Sequence, residues 1–563
     1  MIILHDGTSG DLSHVQAMGS IEEGFALFDY VRLDQGDMSW IGQILEPNRN
    51  ISIVNSNRLD PTILHGLRLM QDNPNVQSVE SVQVFEIGIL GQYNGRQLLT
   101  PRLRPLPGAV VSRLNVEDTS RVIGIPQRVN RDDGTSNVVG ELLNAEGVPL
   151  CIDPLKFNYH IMVSGGTGSG KSNVSANLVE QALQFGKCVL LHDAKPDYGF
   201  IDRANTDPGV PTEIWEQFRS YGLVQHGISN VTRVGFHGLC DPNTVDAVVG
   251  FNASDFSPEI LAGLFFPYSN EQAQFEGFAG AGDTLYQEVH SRDRQSYTTS
   301  DILDLVRQRM NKNVDPLLQI HEATGKAILR KANNRQKGMP WLDVVGQNTG
   351  KRNKKRLQSS LDGNWKQTVQ SFTLEEYVEQ GKILVINYAQ METRSYALIL
   401  SYFLRICQQY CKKRNTDSVG IVQMVDEAHR VFDNDSQYST SLERAFERVM
   451  REGRSVDHSI ILSLQNTSQI PQRVMNNLNT KFVMRQNSKA EADAATQTMG
   501  REFSPQAMKL GTGQALVAIH ESKATVLAQM APSPFELMRT DNTGARINAQ
   551  EPYLSAVTDE FDL

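Results

Sequence analysis

Between Ile161 and Leu183 the sequence reads IMVSGGTGSGKSNVSANLVEQAL, with four glycines in the six positions that follow its opening apolar run and serine. Gly165, Gly170, Lys171 and Ser172 fit G-x-x-x-x-G-K-[ST], and the flanks are those the pattern requires. YHIMVSG reads as a buried strand, and SNVSANLVEQALQFG reads as a helix, apolar near i, i+3 and i+4, that stops at Gly186. A glycine-rich turn from strand to helix can wrap so that its N–H groups face phosphate oxygens, while the helix start adds its positive dipole end. Gly165, Gly166, Thr167, Gly168, Ser169, Gly170, Lys171, Ser172 and Asn173 are therefore the expected nucleotide cradle. Lys171 is expected on the β- and γ-phosphates and the Ser172 hydroxyl on Mg²⁺, so ATP and Mg²⁺ are the expected cofactors.

A nucleotide loop becomes a hydrolase only with a second, acidic strand. VGIVQMVDEAHRVF, residues 419–432, supplies an apolar strand ending in Asp426 and Glu427. Asp426 is expected to help hold Mg²⁺ through water, and Glu427 to act as general base on the attacking water. Adjacent carboxylates at a strand end are costly unless a cation or water accepts them. KCVLLHDAK (187–195), GKILVINYA (381–389) and HSIILSLQN (458–466) read as three more strands, interleaved with helices. That alternation predicts an α/β, doubly wound parallel sheet. Gln465 ends its strand, either as a γ-phosphate sensor or as an ordinary strand-end polar residue.

Ahead of the loop, FALFDYVRL, SWIGQILE and SVQVFEIGILGQYN are short alternating segments with turn residues between them, which predicts a small antiparallel β-barrel. Between the strand-rich halves, residues 251–370 are too long for a plain loop and read as largely helical, with Thr299 or Ser300 placed to cap TSDILDLVRQRMNK. From Lys326 to Lys366 eleven Lys and Arg face only Asp343 and Asp362. Lys351, Arg352, Lys354, Lys355 and Arg356, in KRNKKR, are the candidate DNA contacts; a solvated linker is the other reading.

Composition excludes some classes. With 40% hydrophobic and 21% charged residues in 563, the chain has a globular balance, and its net charge of −10 argues against a protein coated in nucleic acid. No run of eighteen apolar residues appears, and MIILHDGTSGDL lacks the basic start and apolar stretch of a secretory signal, so a cytoplasmic protein without membrane contact is expected. Cys151, Cys188, Cys240, Cys407 and Cys411 never form Cys-x-x-Cys, and read as buried thiols.

Together GGTGSGKS, HDAKPDYG, VDEAH, MREGRSVDHSIILSLQN and NTKFVMR resemble the HerA branch of the HerA–FtsK ATPases, hexameric ring-shaped DNA-translocating motors. The resemblance implies a RecA-like P-loop motor in two halves, 126–250 and 371–535, with a barrel cap at 1–125, the insertion at 251–370 and a tail at 536–563. It also implies a homo-hexamer on double-stranded DNA, working with a nuclease or other effector encoded nearby, since no nuclease constellation is visible here. The alternative is a regulatory ring that scaffolds a separate effector, as HerA-like subunits of antiphage systems do. Hydrolysis in a ring usually needs a cation from the neighbouring subunit. Arg448, Arg451 and Arg454 are candidates; resemblance to an Arg-x-Gly-Arg pattern favours Arg451 or Arg454, with Arg485 next.

Overall fold

The structure, a computed structural model, describes all residues except 5–12, 21–22, 53–80, 131–135, 243, 312–316, 346–368, 414–418, 433–436, 501 and 539–563. Its centre is a 13-stranded sheet. Cys188–Asp193, Ile383–Asn387, Ile421–Val425 and His458–Leu464 are buried along their whole length. Strands covered on both faces are largely apolar, and that is the composition of a parallel sheet clad in helices. Successive residues serve opposite sides. Leu190, Ile386 and Leu462 join one core with Phe403, Cys407 and Phe446. Val189, Leu191, Val385 and Met424 join the other with Val174 and Leu178 of the helix Lys171–Gln184.

Strand order positions the site. Every pairing from Gln370–Ser371 through Ala247–Gly250, Val231–Phe236, Ile383–Asn387, Cys188–Asp193, Ile421–Val425, His458–Leu464 and Ile161–Ser164 to Thr480–Met484 is parallel. All these strands therefore end on one edge, and a strand-to-helix loop there meets the ends of its neighbours. His458–Leu464 lies between the loop-bearing strand and the acidic one, so the tip of that intervening strand is the third wall of the site. Beyond Thr480–Met484 the sheet continues antiparallel through Gln514–Ala518, Val526–Met530, Val138–Leu142 and Pro149–Cys151.

The amino-terminal strands Ile2–Ile3, His14–Ser20, Tyr30–Gln35, Met38–Ser52, Ser81–Tyr93 and Val110–Arg113 form a barrel, closed by pairing of His14–Ser20 with Ser81–Tyr93. Val15, Ala17, Val31, Leu33, Trp40, Phe85, Ile87 and Val111 fill it. The helix Val116–Ile123 leads out, its Asn115 cap accepting from Asp118 N–H at 2.7 Å. Phe28 of the barrel side stacks on Phe503 with ring centres 5.3 Å apart, and Gln43 Nε2 donates to Thr525 O at 3.0 Å. The barrel is thus joined to the large sheet by packing and by a buried polar contact.

Among the described residues four helices, Pro258–Phe265, Gln272–His290, Thr299–Arg309 and Glu322–Gln336, occupy the stretch between Ala247–Gly250 and Gln370–Ser371. The cap of the third is Thr298, not Thr299 or Ser300: Thr298 is extended and accepts from Asp301 N–H at 3.4 Å, while Asp301 accepts from Thr298 N–H at 2.7 Å. This reciprocal pair needs an acidic residue three positions on, and only Thr298 has one there. Part of the basic excess is neutralised internally, since Lys331 and Arg335 both reach Glu271, at 2.7 and 2.8 Å. Among the described residues no helix is long and apolar enough to cross a membrane. Cys151, Cys188, Cys407 and Cys411 are buried and Cys240 is half-buried, and none of the five is in a disulfide.

Candidate nucleotide site

The strand Ile161–Ser164 ends at the common edge and the chain turns through Gly165–Gly170 into the helix Lys171–Gln184. Gly170, the residue before the helix, has φ 101°, where a side chain is strained, and a Cβ on Gly166 would lie 2.4 Å from Asn487. The turn is pinned from outside: Gly165 N–H donates to Leu464 O at 3.1 Å, Gly166 N–H to Arg485 O at 2.8 Å, and Gly513 N–H to Ser169 O at 2.9 Å. Thr167 and Gly168 are exposed at its mouth, and the Ser169 hydroxyl is buried without a hydrogen-bond partner among the described residues. The first N–H groups of the helix have no partner within it, which leaves them for an anion. Ser172 Oγ lies 3.5 Å from Asp197 Oδ2. Asn173 is turned to the chain itself, its Oδ1 accepting from Ser533 N–H at 3.2 Å.

Beside it, Asp426 and Glu427 leave the strand Ile421–Val425, with Glu427 in a left-handed conformation, φ 48°. Such a backbone costs about 1–3 kcal/mol in a residue other than glycine and recurs at functional sites. Glu427 Oε1 is the focus of the site: Lys195 Nζ is 2.7 Å away, Gln465 Nε2 donates to it at 2.7 Å, and Lys171 Nζ is at 3.6 Å. His429 Nδ1 lies 3.4 Å from Oε2. Burial works to raise the Glu427 carboxyl, but Lys171 and Lys195 outweigh it, so the group lies below the usual carboxylate range. Asp426 behaves oppositely. Burial and then the Glu427 charge push its carboxyl up to about 7, and Oδ2 has no hydrogen-bond partner among the described residues. Asp193 and Asp197 are raised too, each mainly by burial.

An uncompensated buried carboxylate is what a divalent cation would relieve. Ser172 and Asp426 fit that role. Four acidic groups, Asp193, Asp197, Asp426 and Glu427, interact electrostatically here against Lys171 and Lys195. The arrangement thus favours the ionised form of Glu427 and the protonated form of Asp426.

The expected arginines stand elsewhere. Arg454 lies over the Tyr159 ring, 4.3 Å from its centre, and Tyr159 immediately precedes the turn into Ile161–Ser164. Arg454 is therefore at the edge of the sheet opposite the glycine loop of its own chain. Arg451, one turn earlier on the helix Gln437–Val456, is exposed with Glu447 at 3.7 Å, and Arg448 is exposed as well. Arg485 touches the loop through its backbone carbonyl. Lys351, Arg352, Lys354, Lys355 and Arg356 lie outside the described residues.

Sequence reasoning passed over Lys195, Asp197 and His429. Their signal was topological: Cys188–Asp193 pairs with Ile421–Val425, His192 opposite Val425, so whatever follows the one strand stands beside whatever follows the other.

The family described as Helicase HerA, central domain, matches residues 137–407. A probable helicase of Methanocaldococcus jannaschii is 24% identical over 234 residues, 39% of this chain and 38% of that protein, so the chain spans well under two thirds of it. The DNA double-strand break repair helicase HerA of Saccharolobus solfataricus is 19% identical over 516 residues, 90% of this chain and 88% of that protein. Among solved structures, the bacterial conjugative coupling protein TrwB superposes with a TM-score of 0.47 at 10% identity, over 76% of this chain and 95% of that one. The chain is HerA-like: its residues 137–407 match the HerA central domain, and its likeness to HerA itself runs along 90% of its length.

Proposed function

We propose that the chain is a Mg²⁺-dependent ATPase that works as a homo-hexameric motor on double-stranded DNA. The observation that carries this reading is the meeting of Lys171, Glu427 and Gln465 at one carboxylate oxygen, at the mouth of a glycine loop. In this reading Lys171 leaves Glu427 for the β- and γ-phosphates when ATP enters, and the loop N–H groups share the phosphate charge. Ser172 and Asp426 would hold Mg²⁺, which when bound neutralises phosphate oxygens. Glu427, kept ionised, takes the proton of the attacking water, and Gln465, beside it, is assigned to sensing the γ-phosphate. Arg451 or Arg454, remote from its own loop, stabilises the charge that develops in the neighbour's site.

The barrel is assigned to the cap of the ring, and the chain is taken to act with a nuclease or other effector encoded nearby, as in an antiphage system. The HerA of Saccharolobus is by its name a DNA-repair helicase, which supports DNA as the polymer handled here. The test is ATP hydrolysis by the full chain with and without duplex DNA. Hydrolysis stimulated by duplex and abolished by Lys171→Ala is expected. Turnover unaffected by Lys171→Ala sinks the reading, and turnover that depends on a co-purifying effector rather than DNA favours a regulatory ring.

A further inference from the structure

Three donors converge on Glu427 Oε1, and two of them have other tasks in the reading above: Lys171 goes to the phosphates and Gln465 faces the γ-phosphate. Lys195, at 2.7 Å, has none. The sheet itself delivers it. Asp426 N–H donates to His192 O at 3.1 Å, and Arg430 Nη1 to Ala194 O at 3.1 Å, so the two strand exits are tied together just before Lys195 and just after Glu427. The Lys195 side chain is 44% exposed, whereas Glu427 is 3% exposed. A half-exposed lysine adds little to a folded core, so this contact orders the carboxylate rather than the fold.

We propose, on the reading of Glu427 as general base, that Lys195 is the positioning residue that aims the Glu427 carboxylate once nucleotide has drawn Lys171 away. On the other oxygen of Glu427 stands His429, 3.4 Å from Oε2, whose protonation burial disfavours, and among the described residues Lys195 and Gln465 are then left to hold Oε1. Lys195 also faces Asp197, whose carboxylate it stabilises, so a charge-keeping variant belongs in the test.

Steady-state ATP hydrolysis and ATP binding by the full chain would be compared for the wild type, Lys195→Met, Lys195→Arg, Glu427→Gln and the double variant Glu427→Gln/Lys195→Met. The expected result for Lys195→Met is a kcat lower by about 10-fold, a fraction of the 10²-fold or more that the base supplies, with KM and ATP affinity within about twofold. Lys195→Arg should recover most of that loss, and the double variant should turn over no more slowly than Glu427→Gln alone. Should the methionine variant not fold, Lys195→Gln is judged by the same criteria. An unchanged kcat, in a protein whose hydrolysis Lys171→Ala does abolish, overturns the role of Lys195 and leaves the ATPase reading standing. Weaker ATP binding together with multiplying losses in the double variant also overturns it, by making Lys195 a phosphate ligand. A wild type that does not hydrolyse ATP overturns both.

Discussion

Two neighbouring carboxyls, Asp426 and Glu427, are driven in opposite directions, up to about 7 and below the usual range, because one is buried beside a negative charge and the other beside two lysines. Glu427→Gln keeps the shape of the side chain and removes the proton acceptor. ATP should then still bind while turnover falls by about 10²-fold or more, measured as single-turnover hydrolysis beside nucleotide affinity. The shift at Asp426 has a consequence for stability. A carboxyl raised in the folded state from its ordinary 3.8 to about 7 costs nothing below pH 3.8; its penalty grows as pH rises through that window and is complete above about 7. Asp426→Asn should therefore raise the melting temperature of the metal- and nucleotide-free protein at pH 8.5 and do so less at pH 5.5, the gain bounded by about 4 kcal/mol. Equal melting shifts at both pH values would contradict it. Lys171, Asp426 and Glu427 stood out in the sequence because each belongs to a motif that follows an apolar strand, whereas Gln465 stood out only as a polar residue at a strand end. Lys195 and His429 were not, because what makes them notable is who stands across the sheet.

The helix Gln437–Val456 shows how an element places a residue. Gly453, within REGR, packs so closely on the next strand that an added Cβ would meet His458 O at 2.2 Å, and Asp457 completes the turn with φ 60°. His160 adds a buried tie: Nδ1 accepts from Ile460 N–H at 3.1 Å, so Nε2 carries the proton and donates to Met450 O at 2.8 Å. Burial lowers His160 to about 4, so it stays neutral and the tie persists at physiological pH. Gly453→Ala should destabilise the chain by about 1–3 kcal/mol in denaturant melts, the usual cost of overpacking. Arg451→Ala or Arg454→Ala should preserve ATP binding but lose hydrolysis by about 10³-fold, and mixing that variant with Lys171→Ala should restore some activity. With subunit exchange verified by mass measurement, no recovery for either arginine argues against action across an interface and directs attention to Arg485. Long strands and helices announced themselves by their apolar runs. Ala247–Gly250 and Pro149–Cys151 did not, being too short for alternation to register.

At the scale of the whole molecule, one strand joins two surfaces that face different nucleotides in the proposed ring. His458–Leu464 ends at Gln465, against the chain's own phosphate loop, and begins just after Arg454, on the opposite edge. Its 7 residues are fully extended and buried between parallel neighbours. An extended backbone of that length spans about 23 Å and barely stretches, since its reach is set by bond geometry rather than by packing. It works as a tie-rod. A shift of Gln465 when the γ-phosphate departs would pull on the turn at Asp457 and on the arginine beyond it, so the loss of phosphate in one subunit would be felt mechanically in the next. Firing order around a ring could then be set by a rigid span of main chain.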